Sequence, residues 1–111
     1  MDNRLFYSEI ITYMCKYYDV TNEELIQILN TKENLYILLL LLKKHDCLNI
    51  ENLRKKYEFE EKKNIKNRLK KAEEMLLLNS FFRKKYFNIE NYIEKNNANT
   101  KKTLDINKNL W

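Results

Sequence analysis

A chain of 111 residues, 33% charged, with a formal charge of +5 and neither glycine nor proline, has room for one domain around a single modest core. The missing glycine and proline disfavour tight hairpins, glycine loops that cradle phosphate, and β-rich folds, so an all-α chain is expected in which Asn and Asp do the turn work. The longest apolar run, residues 35–42, is far short of the ~20 residues that span a bilayer, and no membrane partner is expected.

The first helix is expected over 3–19, where Phe6, Ile10, Tyr13, Met14 and Tyr17 recur at steps of three and four. Asp19 and Val20 break it. Thr21 and Glu24 have capping-box spacing and open a short second helix with Leu25, Ile26 and Leu29 behind them. Asn30 or Thr31 opens a third, running to His45. Its centre, 35–42, is apolar on every face and belongs in the middle of the molecule. A buried strand is the competing reading for so short a run, but leucine dominance and the lack of turn residues favour helix. Lys43, Lys44 and His45 stand at its C-terminal end as cations that suit the dipole. Asn49 reads as the N-cap of a fourth helix over 50–56, with Ile50, Leu53 and Tyr57 inward. Glu58 and Phe59 connect it to a fifth over 60–78. Asn79 and Ser80 then punctuate, Ser80 capping a sixth helix to about Lys95 with Phe81, Phe82, Tyr86, Ile89 and Ile93 as its apolar face. From Asn96 the chain turns polar and amide-rich, and 96–111 is expected to be a mobile tail. The fold class is therefore all-α: a compact bundle of about six helices over 1–95, with no internal repeat.

The positive charge is concentrated. Residues 43–71 carry eleven basic and five acidic side chains, whereas the first 42 residues are net −3 and the remainder +2. A local excess of this kind favours a nucleic acid or an acidic surface as partner. Seventeen of the basic residues are lysine and sixteen asparagines accompany them, a composition that an AT-rich genome imposes whatever the function. Cys15 and Cys47 are widely separated with no leader pattern ahead of them, and are expected to be free thiols in a reducing cytoplasm.

The basic fifth helix carries the functional signal. Ile65, Leu69, Ala72 and Leu76 form one narrow apolar stripe, and almost everything else is lysine, arginine or amide. At about 100° per residue, Lys63, Lys66, Asn67 and Lys70 group away from that stripe. A short helix, a tight connection and a longer basic helix make the pattern of a helix-turn-helix at about 49–78, whose second helix enters the major groove. On that reading Lys62, Lys63, Asn64, Lys66, Asn67 and Lys70 face the groove, while Arg54, Lys55, Lys56 and Arg68 meet flanking phosphates. Lysine supplies charge without geometry, so binding is expected to be more electrostatic than base-specific, with Asn64 and Asn67 available to adenine edges.

Three stretches also carry a resemblance. The first is Lys16-Tyr17-Tyr18-Asp19-Val20-Thr21-Asn22-Glu23-Glu24-Leu25-Ile26. The second is Asn49-Ile50-Glu51-Asn52-Leu53 with Tyr57, and the third is Ile65 with Arg68 to Glu74. In this order, with the aliphatic third helix between, the chain resembles the C-terminal DNA-binding domain of the bacterial replication initiator DnaA, a small helical domain with an embedded Trp-repressor-like helix-turn-helix. The resemblance covers roughly residues 6–92 and lies in hydrophobic pattern and element order, so it speaks to fold more than to function. The departures fall where that family reads DNA. Its signature Gly-Arg-Asp-His-Ser/Thr-Thr is here Phe59-Glu60-Glu61-Lys62-Lys63-Asn64. Its arginine-rich loop is shortened to Asn30-Thr31-Lys32-Glu33-Asn34, and the arginine that opens its third helix is Leu35. Recognition of the initiator's own DNA box is not expected, and no phosphate-binding loop of an ATPase is present.

Other constellations are weaker. His45, Asp46 and Cys47 with distant Cys15 supply at most three soft ligands, one short of a structural zinc set, so no metal or other cofactor is expected. His45 reads more simply as a helix C-terminal cation. Glu73 and Glu74 are adjacent and point in different directions, and only Ser8 and Ser80 offer hydroxyl nucleophiles of that kind. Neither an enzyme nor a small-molecule substrate is expected. Phe81, Phe82, Tyr86 and Phe87 would serve as a stacking platform for bases, but their helical spacing points to core packing, with Arg83, Lys84 and Lys85 toward solvent. Two functions follow: a small cytoplasmic protein that binds double-stranded DNA as a bacterial regulator or replication accessory, or a protein-interaction module that keeps the initiator-like fold and engages an acidic partner or a second copy of itself.

Overall fold

An eight-residue run without a polar face can be kept from water only by surrounding it, and the rest of the chain does so. The computed structural model describes residues 5–49, Leu53 and 62–109, the side chains of 62–64 and 99–109 excepted. Five α-helices and no strand occur among them: α1 (Tyr7–Tyr18), α2 (Asn22–Ile28), α3 (Lys32–Lys44), α4 (Lys62–Leu78) and α5 (Ser80–Asn109). All eight side chains from Leu35 to Leu42 are buried. α3 packs on α4, α1 and α5, and α1 also packs on α2 and α5. The expected fourth helix lies outside the described residues except for Leu53, which is helical and buried.

With no glycine, the chain makes both of its described left-handed turns at aspartate. Asp19 has φ 57° and Asp46 φ 56°, a region that the short polar side chain of Asp tolerates better than most. Each closes a helix in the same way. Val20 N–H donates to the Cys15 carbonyl at 3.0 Å and Asp19 N–H to that of Lys16 at 3.3 Å; Cys47 N–H donates to Leu42 at 2.9 Å and Asp46 N–H to Lys43 at 3.1 Å. These are paired six-to-one and five-to-two Schellman bonds. The Thr21–Glu24 box is also formed: Glu24 N–H donates to Thr21 Oγ1 at 3.2 Å and Thr21 N–H to Glu24 Oε1 at 3.1 Å. α2 and α3 meet at a bend of 113°, and no single helix among the described residues is long and apolar enough to cross a membrane.

Several sequence expectations need correction. α1 begins at Tyr7 and not at Asn3, because Phe6 is extended and its N–H is taken by Glu9 Oε1 at 3.0 Å. Ile26 is exposed, since two-turn α2 reaches the core through Leu25 and Leu29 on its other side. The cap of α5 is Asn79 and not Ser80: Asn79 Oδ1 accepts the Phe82 N–H at 3.0 Å. Phe81 is 86% exposed while Phe82 is 1% exposed. Neighbouring helical residues diverge by about 100°, and Phe82 holds the inward position edge-on to Tyr36. Phe87 is exposed for the same reason beside buried Tyr86. The backbone stays helical past Lys95 as far as Asn109, there being no proline or glycine to stop it.

Candidate anion-binding face

α4 is a two-sided rod. Its stripe is inward as its spacing requires: Ile65 and Ala72 are buried, and Leu69 and Leu76 are half-buried against the core. α3 takes most of that contact. Lys66, Asn67, Lys70 and Lys71 stand exposed on the remaining surface. Of the other expected site residues, Lys62, Lys63 and Asn64 lie in the first turn of α4 with their side chains outside the described residues, and Arg54, Lys55 and Lys56 are outside altogether. Arg68 is half-buried and turns toward α3. There it lines a cleft of about 400 Å3 with Asn30, Lys32, Leu35, Tyr36, Asn67 and Lys71. Lys32, Asn30 and Lys71 are absent from the site expected from sequence. The first two lie well before α4 in the chain, and Lys71 falls between the stripe and the outward face.

Two of the described carboxylates near this region are engaged elsewhere, while exposed Glu74, one turn after Lys70, takes part in no ion pair. Glu73 is bridged by Lys43, and Glu33 by Lys85 at 3.4 Å. Lys44 holds Glu90 at 2.6 Å and Glu94 at 2.8 Å. Burial lowers the Lys44 pKa, but its hydrogen bonds to Glu90 and Glu94 more than offset this and the net shift is upward. Among the described residues, Lys66, Lys70 and Lys71 take part in no ion pair. Ammonium groups of this kind keep their full long-range attraction for an approaching anion, within the ~10 Å reach that salt allows.

His45 departs from expectation. It is no cation at the helix end but a buried ring, 8% exposed, whose Nδ1 accepts the Leu5 N–H at 3.1 Å across forty residues. Accepting at Nδ1 places the proton of the neutral ring on Nε2, which has no hydrogen-bond partner among the described residues. Burial and then Lys44 push the His45 pKa down, against the opposing pull of Glu94, Glu90 and Glu9. No pattern local to His45 signals this partner, which arrives from the start of the chain.

Tyr18 donates to Asn34 Oδ1 at 2.7 Å, and burial, Tyr17 and Glu33 push its pKa up to about 12. Both cysteines are free thiols whose pKa burial raises, the Cys15 thiol donating to Asn22 Oδ1 at 3.2 Å. No group of three His, Cys, Asp or Glu capable of holding a metal occurs among the described residues. Arg83 does not face freely outward: its guanidinium donates to the carbonyls of Leu76 at 3.3 Å and Leu77 at 3.0 Å, closing the end of α4. Beside it Leu77 and Leu78 are 75% and 84% exposed, so with Phe81 the α4–α5 corner presents three large apolar side chains to solvent.

No protein-family model matches this chain, and neither a curated protein nor a solved structure matches it.

Proposed function

We propose that the chain is a small duplex-DNA-binding protein of the helix-turn-helix kind, with α4 as the element presented to the major groove. The observation that carries this reading is the row Lys66, Lys70 and Lys71, exposed and in no ion pair among the described residues, on the surface of α4 that its stripe against α3 leaves uncovered. The order of elements and its likeness to the initiator's DNA-binding domain support it. Binding is electrostatic in the main, with Asn67 beside the row as a donor and acceptor for base edges, and a role as regulator or replication accessory follows from that fold likeness alone. A mobility-shift series with random duplex at 50 and 200 mM salt tests it. A protein using four to five phosphate contacts loses on the order of a few hundredfold in affinity over that range. Lys66→Glu/Lys70→Glu abolishes the shift while leaving helicity unchanged. No shift by the wild type at 50 mM salt overturns the reading.

A protein-interaction module is the second reading, favoured by the corner of Leu77, Leu78 and Phe81. Monomers seldom leave large apolar side chains together in water without a use for them. On this reading Phe81→Ser removes partner binding or self-association, and Lys66→Glu/Lys70→Glu leaves it intact.

A further inference from the structure

The α4–α5 corner is fixed in place and left bare. Asn79 N–H donates to the Met75 carbonyl at 2.9 Å, its side chain caps α5, and the Arg83 guanidinium ties the start of α5 to the carbonyls of Leu76 and Leu77. From this frame Leu77, Leu78 and Phe81 project, each at least three-quarters exposed, a cluster of the kind that monomers seldom leave uncovered. Two charges flank it. On α4, Glu73 is bridged by Lys43, whereas Glu74, one turn before the two leucines, is exposed and in no ion pair among the described residues. On α5, Lys85 is drawn to Glu33, whereas Lys84, three residues after Phe81, is exposed and likewise in no ion pair among them. One spare acid therefore borders the apolar cluster on one side and one spare base on the other.

These charges select the occupant. Duplex phosphate gains nothing from three apolar side chains and is repelled by Glu74. An acidic protein meets the same repulsion at Glu74, and a basic one meets it at Lys84. A second copy turned about a two-fold axis through the corner meets neither. In such an interface residue i contacts j and j contacts i, so Glu74 faces Lys84 of the second copy, Lys84 faces its Glu74, and the two apolar clusters pack between them. We propose that the α4–α5 corner is the surface through which two copies of this chain pair. The inference rests on the interaction reading of the corner given above and supplies its partner. Three large side chains per copy cover less than the ~800 Å2 per partner of a standard interface, so the dimer is weak, with a dissociation constant on the order of 0.1 mM. Pairing there also joins two α4 rows in one body, as helix-turn-helix proteins do to reach two half-sites.

Sedimentation equilibrium of the full chain from about 10 µM to about 1 mM, a range that brackets this constant, tests the pairing. Wild type is expected to pass from monomer to dimer across it, and Phe81→Ser to stay monomeric. Glu74→Lys and Lys84→Glu, both at exposed positions and checked for helicity by circular dichroism, each weaken association by about tenfold. Net charge alone would move these two variants in opposite directions. Mixed in equal amounts they associate again at about wild-type strength, because both attractions are rebuilt between unlike chains. Restored association in the mixture supports the proposal, since no contact within one chain can produce it. Association that Phe81→Ser abolishes but neither charge reversal alters overturns the two-fold pairing and leaves the corner an interaction surface. Association that survives Phe81→Ser overturns the proposal and removes the corner from the interaction reading as well. Wild type that stays monomeric throughout overturns the proposal, and the interaction reading then stands only with a different protein as partner.

Discussion

Replacing His45 or protonating it should break the same hydrogen bond, and this makes the junction between the start of the chain and α3 sensitive to pH. Neutral His45 accepts the Leu5 N–H at Nδ1; the imidazolium carries protons on both nitrogens and cannot. A buried N–H left without its acceptor costs about 1–3 kcal/mol. Because burial and Lys44 hold the folded pKa below its ordinary value, the unfolded chain takes up the proton first as pH falls, and stability falls with it. The His45 contribution is fully present above the unfolded value of about 6.5, is lost progressively below it, and levels off once pH drops beneath the folded pKa. Glu9, Glu90 and Glu94 face the ring and oppose the shift. They limit its size. Urea unfolding at pH 7.5 and pH 5.0 is expected to show wild type losing stability by an amount bounded by that 1–3 kcal/mol. His45→Phe should be destabilised at both pH values by a similar amount, with most of the pH dependence gone. A His45 ring that titrates above 6.5 by NMR, or a His45→Phe variant that keeps the wild-type pH dependence, refutes the argument.

Three further outcomes follow from packing and capping. Leu38→Ala removes a fully buried side chain at the centre of α3 and should cost about 2–5 kcal/mol in denaturant unfolding. Thr21→Ala removes the oxygen that takes the Glu24 N–H and should cost about 0.5–2 kcal/mol by the same measurement. Phe81→Ser alters a side chain outside the core and should change stability by less than about 0.5 kcal/mol. Any association of wild type seen by light scattering that rests on this corner should be weaker in that variant.

Local pattern carried most of the architecture. The apolar run of α3, the Thr21–Glu24 box and the narrow stripe of α4 are each read from spacing, because each depends on neighbours within four residues. The absence of glycine likewise pointed to Asp and Asn as turn formers, and Asp19 and Asp46 fill that role. Where a position had two structural solutions, pattern misled. Phe81 and Phe82 have equal hydrophobicity, and it is Phe82 that falls in phase with buried Tyr86, Ile89 and Ile93 and packs edge-on to Tyr36. Asn79 and Ser80 are both good caps, and one residue of helix phase decides between them.

Composition and periodicity by themselves determined an all-α chain, a central helix buried on every side and a basic helix with one oily edge, since these follow from side-chain polarity and a fixed turn angle. Tertiary structure alone decided that Lys32 and Asn30 meet Arg68 and Lys71 across a cleft, and that His45 spends its lone pair on the backbone of Leu5. Both involve groups far apart in the chain, and proximity across such a separation is set by how whole helices pack, which no local spacing encodes.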